Sequence, residues 1–144
     1  MSETRKTKRV LLLCTGNSCR SQMAEGWVNH GLAGSWEARS AGTRPATAVH
    51  PLAIRAMAEV GVDISSAVPE HVDRYVGEEW DLVVTVCDSA RESCPVFPHP
   101  VEAIHVSFPD PADAEGSEEV RMRVFRAVRD DIRGRLLPEI ARRG

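Results

Sequence analysis

The chain has 144 residues, 42% of them hydrophobic and 27% charged, which suits one domain with a real core and not two. Eighteen basic against twenty-one acidic residues give a net charge of −3, so neither a basic nucleic-acid binder nor an acidic disordered chain is indicated. Three Trp, three Phe and one Tyr leave little for base stacking, and no run approaches the roughly 20 apolar residues of a membrane span.

Residues 1–7 are charged and polar and read as a flexible N-terminal tail ahead of a single domain spanning 1–144. The apolar run that follows, Val10 to Leu13, is far too short for a secretory leader, which points to the cytoplasm. Residues 9–13 (RVLLL) predict a strand buried on both faces. A turn rich in Gly, Asn and Ser leads into SQMAEGWVNHGL, a helix expected to end near Gly31 or Gly34. Residues 36–40 predict a second strand, closed by Ala41-Gly42. Pro51 opens a helix with Leu52, Ala53, Ala56, Met57 and Val60 on one face, stopped by Gly61. A shorter helix is expected over 69–76, and strands over 81–86 (DLVVTV) and 103–108 (AIHVSF). Ser117 should cap the last helix, whose Val120, Val124, Val128, Ile132 and Leu136 recur every four residues. Pro138 should end or kink it at Leu137. Strands alternating with helices imply an α/β fold, a parallel sheet with helices on both faces.

The four cysteines are Cys14, Cys19, Cys87 and Cys94, with no CxxC pair, which excludes a zinc ribbon or a thioredoxin-type motif. In a cytoplasmic protein such thiols bind metal or do chemistry more often than they form stable disulfides. Cys14 follows the first strand, Cys87 follows DLVVTV, and Asp110 follows the fourth strand. Ligands of such sheets bind beyond the carboxyl ends of the strands, so the fold should bring these three to one rim.

Cys14-Thr15-Gly16-Asn17-Ser18-Cys19-Arg20-Ser21 is a C-x5-R-S loop between strand and helix. Its small residues let the backbone N–H groups of 15–21 curl into an anion nest, and the helix N-terminus adds partial positive charge. Arg20 can grip two oxygens of a tetrahedral oxyanion at once. The same field stabilises a thiolate at Cys14, since comparable sites lower a cysteine pKa to roughly 3.5–7.5. Asn17 suits a left-handed position, Ser21 could donate to the Cys14 sulfur, and Cys19 reads as structural. Without the strand and helix around it, the loop is a cysteine-bearing surface turn.

Cys87 and Cys94 form a C-x6-C segment followed by Pro95. A helix over seven steps would hold their α-carbons about 10.5 Å apart, whereas a disulfide needs roughly 7 Å or less. Any helix joining them must unwind for the bond to form. Two buried apolar thiols are the plainer reading. An Asp at the rim, such as Asp110, can protonate a leaving oxygen. His30, His50, His71, His99 and His105 show no ligand spacing, so no metal is expected.

CTGNSCRSQMAEGW resembles the catalytic loop and first helix of the low-molecular-weight tyrosine phosphatase superfamily, and within it the thioredoxin-coupled arsenate reductases. The likeness continues through SAG at 40–42, AIRAMAEVGVDIS at 53–65, DLVVTVC at 81–87, FPDPA at 108–112 and VFRAVRDDIRGRL in the last helix. It implies a four-stranded, flavodoxin-like parallel sheet. It also implies reduction of arsenate to arsenite by a thiolate relay from Cys14 to Cys87 to Cys94, with Arg20 binding the anion and Asp110 as general acid. Phosphate or sulfate would fit the same loop. Thioredoxin would reduce the resulting Cys87–Cys94 disulfide, and no tightly bound cofactor is expected. Some relatives hold potassium near the loop; Asn17 and Glu25 match part of that site, but Val68 and Glu70 do not, which leaves the ion open. Phosphatases of the superfamily usually carry an aromatic residue after the Asp-Pro, where this chain has Ala112. The alternatives are a phosphatase acting on phosphotyrosine or small phosphate esters, and a thiol sensor that binds arsenite. A monomer is the default.

Overall fold

The computed structural model describes residues 7–144, so the expected tail lies outside the described residues except for Thr7. Four strands form the sheet: β1 (Lys8–Cys14), β2 (Trp36–Gly42), β3 (Leu82–Thr85) and β4 (Glu102–His105). All pair in parallel, in the order β2-β1-β3-β4. Val10 to Leu13 are fully buried, as a strand covered on both faces requires. Each leucine so enclosed stabilises the fold by roughly 1.5–3 kcal/mol. β2 runs two residues beyond the expected strand because Ala41 and Gly42 pair with Leu13 and Cys14.

The sheet is flanked by α1 (Arg20–Gly31), α2 (Pro51–Ala58), α3 (Asp73–Val76), α4 (Asp88–Glu92) and α5 (Glu118–Ala141). α1, α2 and α5 pack on one another, while α4 sits against β1 and β3. Pro51 takes the first position of α2, and Leu52, Ala53, Ala56 and Met57 turn inward from it. The helix expected over 69–76 shrinks to Asp73–Val76. His71 instead forms a bridge beside Gly42, whose N–H donates to Glu70 O while Val72 N donates to Gly42 O. β4 stops at His105, but Val106 and Phe108 still donate to Thr85 and Val86, so the chain stays beside β3 up to Phe108.

The structure refines the four-residue repeat of α5 and corrects the expected stop at Pro138. Its buried face centres on Met122, Phe125, Ile132 and Ile140, whereas Val120 is exposed. A four-residue repeat drifts about 40° per step on a helix of 3.6 residues per turn, so Val120 and Leu136 cannot share one face. Pro138 does not end the helix, which continues to Ala141. The carbonyl it leaves unpaired belongs to Gly134, four residues back; both residues are exposed, so water can bond it. Leu136 and Ile140 stay buried on the opposite side.

Strand order reverses between β1 and β3, and this is where parallel sheets open a crevice at their carboxyl edge. Leu13 is in register with Thr85, and Val86 N donates to Leu13 O at 2.9 Å. Cys14 and Cys87 therefore emerge side by side.

Candidate active site

The 14–20 loop is held from outside by its carbonyls. Those of Cys14, Thr15, Gly16 and Ser18 accept from the N–H groups of Thr43, Arg44, Ala46 and His50 at 2.8–3.2 Å. With the carbonyls turned outward, the loop's N–H groups face the other way. Among the described residues, none of the N–H groups of 15–20 donates to a backbone carbonyl. Such converging donors make an anion nest. Asn17 sits at its apex with φ +52°, the one non-glycine residue with positive φ among those described. Its fully buried amide donates to Ser21 Oγ (2.8 Å) and Ser40 Oγ (2.9 Å) and accepts from Glu70 N (2.9 Å). Gly42 lies so close behind that a Cβ there would come within 2.4 Å of Thr15 O.

Arg20, the first residue of α1, lies across the mouth of the loop. Its Nη1 donates to Phe108 O at 3.1 Å and its Nη2 is 3.5 Å from Asp110 Oδ2. Its Nε is buried and without a partner. A buried guanidinium N–H left open costs stability unless a bound anion accepts it. Asp110 is oriented by its own turn, since its Oδ1 accepts from Ala112 N at 3.0 Å. Thr15, Arg20, Cys87, Phe108 and Asp110 line a cleft of about 480 Å³. A second cavity of about 410 Å³, between α1 and residues 61–67, contains no thiol.

All four cysteines are free. Cys14 and Cys87 are both buried, side by side at the ends of their strands, and each thiol shifts the titration of the other. Cys87 also meets Thr15 Oγ1 at 3.3 Å and, as the N-cap of α4, accepts from Ala90 N at 3.4 Å. The neighbouring Cys14 thiol, helped by these donors and by Arg20 and opposed by burial, brings Cys87 down to about 5. Cys87 beside it and burial push Cys14 well above the ordinary thiol value, against the pull of Arg20 and the Thr15 N–H. These directions favour one proton on the pair at neutral pH. When that proton passes to Cys87, Cys14 becomes the thiolate beneath the nest. Cys94 is half-buried just past the end of α4, and burial raises its pKa.

Residues 9–141 match the low molecular weight phosphotyrosine protein phosphatase family. The chain belongs to that family. An arsenate reductase of Halalkalibacterium halodurans is 47% identical to it over 129 residues, covering 90% of this chain and 92% of that one. A solved structure described as an arsenate reductase in the phosphate binding state is 32% identical, with a TM-score of 0.72 over 96% of this chain and all of that one. A thioredoxin-dependent arsenate reductase of Corynebacterium glutamicum is 29% identical, with a TM-score of 0.66 over 96% of this chain and 64% of that one.

Within this family framework the remaining expected residues find their places. Cys19 is buried as the N-cap of α1, its pKa raised to about 11 by burial. Ser21 Oγ pairs with Asn17, and among the described residues it makes no hydrogen bond to Cys14. The residues of the partial potassium match make bonds within the protein. Asn17 Oδ1 takes N–H bonds from Glu70 and Gln22, Glu25 bonds Ser40 at 2.6 Å, and Val68 has no side-chain oxygen to add. Burial also raises the Glu25 pKa. Sequence reasoning missed the clamp from residues 43–50, the Gly42 contact, and Thr15 as a donor to Cys87. Each joins segments far apart in the chain; the SAG at 40–42 was the one local hint.

Proposed function

We propose that the chain reduces arsenate to arsenite through Cys14, Cys87 and Cys94 in turn, with thioredoxin restoring the dithiol. The observation that carries this reading is a second buried thiol, Cys87, side by side with Cys14 at the floor of an anion nest. A phosphatase has no chemical use for a second thiol at that position. The relatives and solved structures described above support the same direction.

Arsenate enters the loop, accepted by the N–H groups of 15–20 and by Arg20. The Cys14 thiolate attacks arsenic, an As–O bond breaks, and Asp110 protonates the departing oxygen. Cys87 gives up the shared proton and attacks the Cys14 sulfur. The S–As electron pair stays on arsenic, which leaves as arsenite two electrons richer, and a Cys14–Cys87 disulfide remains. Cys94 attacks Cys87, frees the Cys14 thiolate and closes a Cys87–Cys94 disulfide. The dithiol of thioredoxin reduces that bond by the same exchange chemistry. The electrons come from thiols, so the relay needs no resident cofactor, and the reducing cytoplasm is its natural setting. We take the working unit to be a monomer.

Phosphate has the same tetrahedral shape, so slow phosphomonoester hydrolysis is expected as a side reaction. Ala112, small where the family's phosphatases offer an aromatic ring, disfavours phosphotyrosine as the main substrate. Arsenate-dependent NADPH oxidation with thioredoxin and thioredoxin reductase tests the proposal. Wild type should turn over continuously, while Cys94→Ser should stop after one arsenite per chain. Continuous turnover by Cys94→Ser would sink the three-thiol relay, and vigorous phosphatase activity without arsenate reduction would replace it.

A further inference from the structure

The relay leaves unused a short polar chain that ends on its mobile segment. Thr85 and His105 are register partners on β3 and β4, and their side chains meet at 2.7 Å, Thr85 Oγ1 to His105 Nδ1. His105 Nε2 in turn lies 2.9 Å from Asp88 Oδ1. Asp88 directly follows Cys87 and is the first residue of α4. One neutral tautomer satisfies every atom: the Thr85 hydroxyl donates to Nδ1, and Nε2–H donates to the carboxylate. That bond holds the Asp88 carboxyl below its usual range. Thr85 is buried, His105 is mostly covered, and Asp88 reaches it from the surface.

α4 has five residues, far too few to stay helical by propensity. Its first turn is held by the Cys87 sulfur capping Ala90, by the burial of Ala90, and by this chain. We propose that Thr85–His105–Asp88 is a latch that keeps α4 helical and so favours the dithiol form of Cys87 and Cys94. The inference rests on the reading above that these two cysteines form a disulfide. Asp88 lies inside the ring that such a bond closes. α4 with its C-cap lies between the two cysteines, and a disulfide needs their α-carbons within roughly 7 Å; in this proposal closing the bond refolds the segment and the latch bond is lost. An interaction made in one state only shifts the equilibrium toward that state by its own strength. The latch therefore makes the disulfide easier for a reductant to open. His105 touches no sulfur; it is a positioning residue that acts through Asp88.

The test is an equilibrium measurement that needs no arsenate. The full chain is equilibrated in buffers of graded oxidised and reduced dithiothreitol, and the Cys87–Cys94 disulfide is counted by alkylation and peptide mass mapping. Asp88→Ala alters an exposed side chain and keeps the fold; His105→Leu and the double variant complete a cycle. Each single change should move the equilibrium about three-fold toward disulfide, the scale of an exposed charge-assisted contact. The double variant should move it no further, because both substitutions break the same bond. An Asp88→Ala equilibrium equal to wild type, or single effects that add in the double variant, overturns the latch. If wild type forms no Cys87–Cys94 disulfide in any buffer, the relay reading falls and the latch with it.

Discussion

The anion loop and the 87–94 segment both begin with a cysteine at the carboxyl end of a buried parallel strand, and they are built in opposite ways. The loop is fixed on every side: four carbonyls are tied to residues 43–50, Asn17 is bonded within the core, and Gly42 presses behind it. The 87–94 segment has one short helix, one buried residue within it, and an exposed polar face. The difference follows from what each must do. An oxyanion site works by donors that are in place before charge arrives, whereas in the proposed relay the 87–94 segment must rearrange to bring its two thiols together. Rigidity and convertibility sit side by side at one rim.

Cys14→Ser should break the comparison most completely. With its nucleophile gone, the rigid half retains only binding, and arsenate turnover should fall by about 10⁴-fold or more. NADPH oxidation measures the loss, and retained phosphate binding by calorimetry would show the nest intact. Arg20→Lys should cost about 10²–10³-fold in kcat/KM, the scale of removing one preorganised donor. A lysine cannot hold both Phe108 O and an anion, so the Asp110 side of the cleft should loosen as well.

Gly42→Ala tests whether the rigid half depends on the strand behind it. The new methyl would come within 2.4 Å of Thr15 O and 3.1 Å of Asn17 N. Stability should drop by about 1–3 kcal/mol, read from urea unfolding, with weaker phosphate binding. Gly134→Ala is the control: it lies in α5 with nothing within 4 Å of its Cβ, and should gain about 0.5–1 kcal/mol. Equal effects at the two glycines would mean that the close packing behind the loop does not matter.

How much of this was legible in the sequence follows from the range of each interaction. RVLLL, DLVVTV and the C-x5-R-S loop announce themselves because strand, turn and helix signals lie within a few residues of one another. They set the sheet and the position of Cys14, Arg20 and Cys87. The clamp from 43–50, the Asn17 bonds to Ser40 and Glu70, and the His105 bond to Asp88 join segments 17 to 53 positions apart. A lone histidine without ligand spacing gave no sign that it would face Asp88. In α5 the error was of a different kind: a repeat of exactly four looks like one face but winds around the helix. The helix through Pro138 shows local preference yielding to the burial of Leu136 and Ile140 on either side.

The last expected effect concerns the contact where the two regions meet. Cys87 is brought from the ordinary thiol value of 9.0 down to about 5, while Cys14 is pushed above it. Between pH 5 and 9 the unfolded chain binds two protons at these sites and the folded chain one, so stability should rise with pH. Above 9 the unfolded chain loses both while the folded pair keeps its shared proton, and the contribution should fall again. The maximum from this pair therefore lies near pH 9. Urea unfolding from pH 5 to 10 under reducing conditions measures it, and the difference between wild type and Cys87→Ser isolates the pair. A stability difference that stays flat across this range would mean that the two sulfurs titrate independently, and that the rigid loop and the convertible segment share no proton.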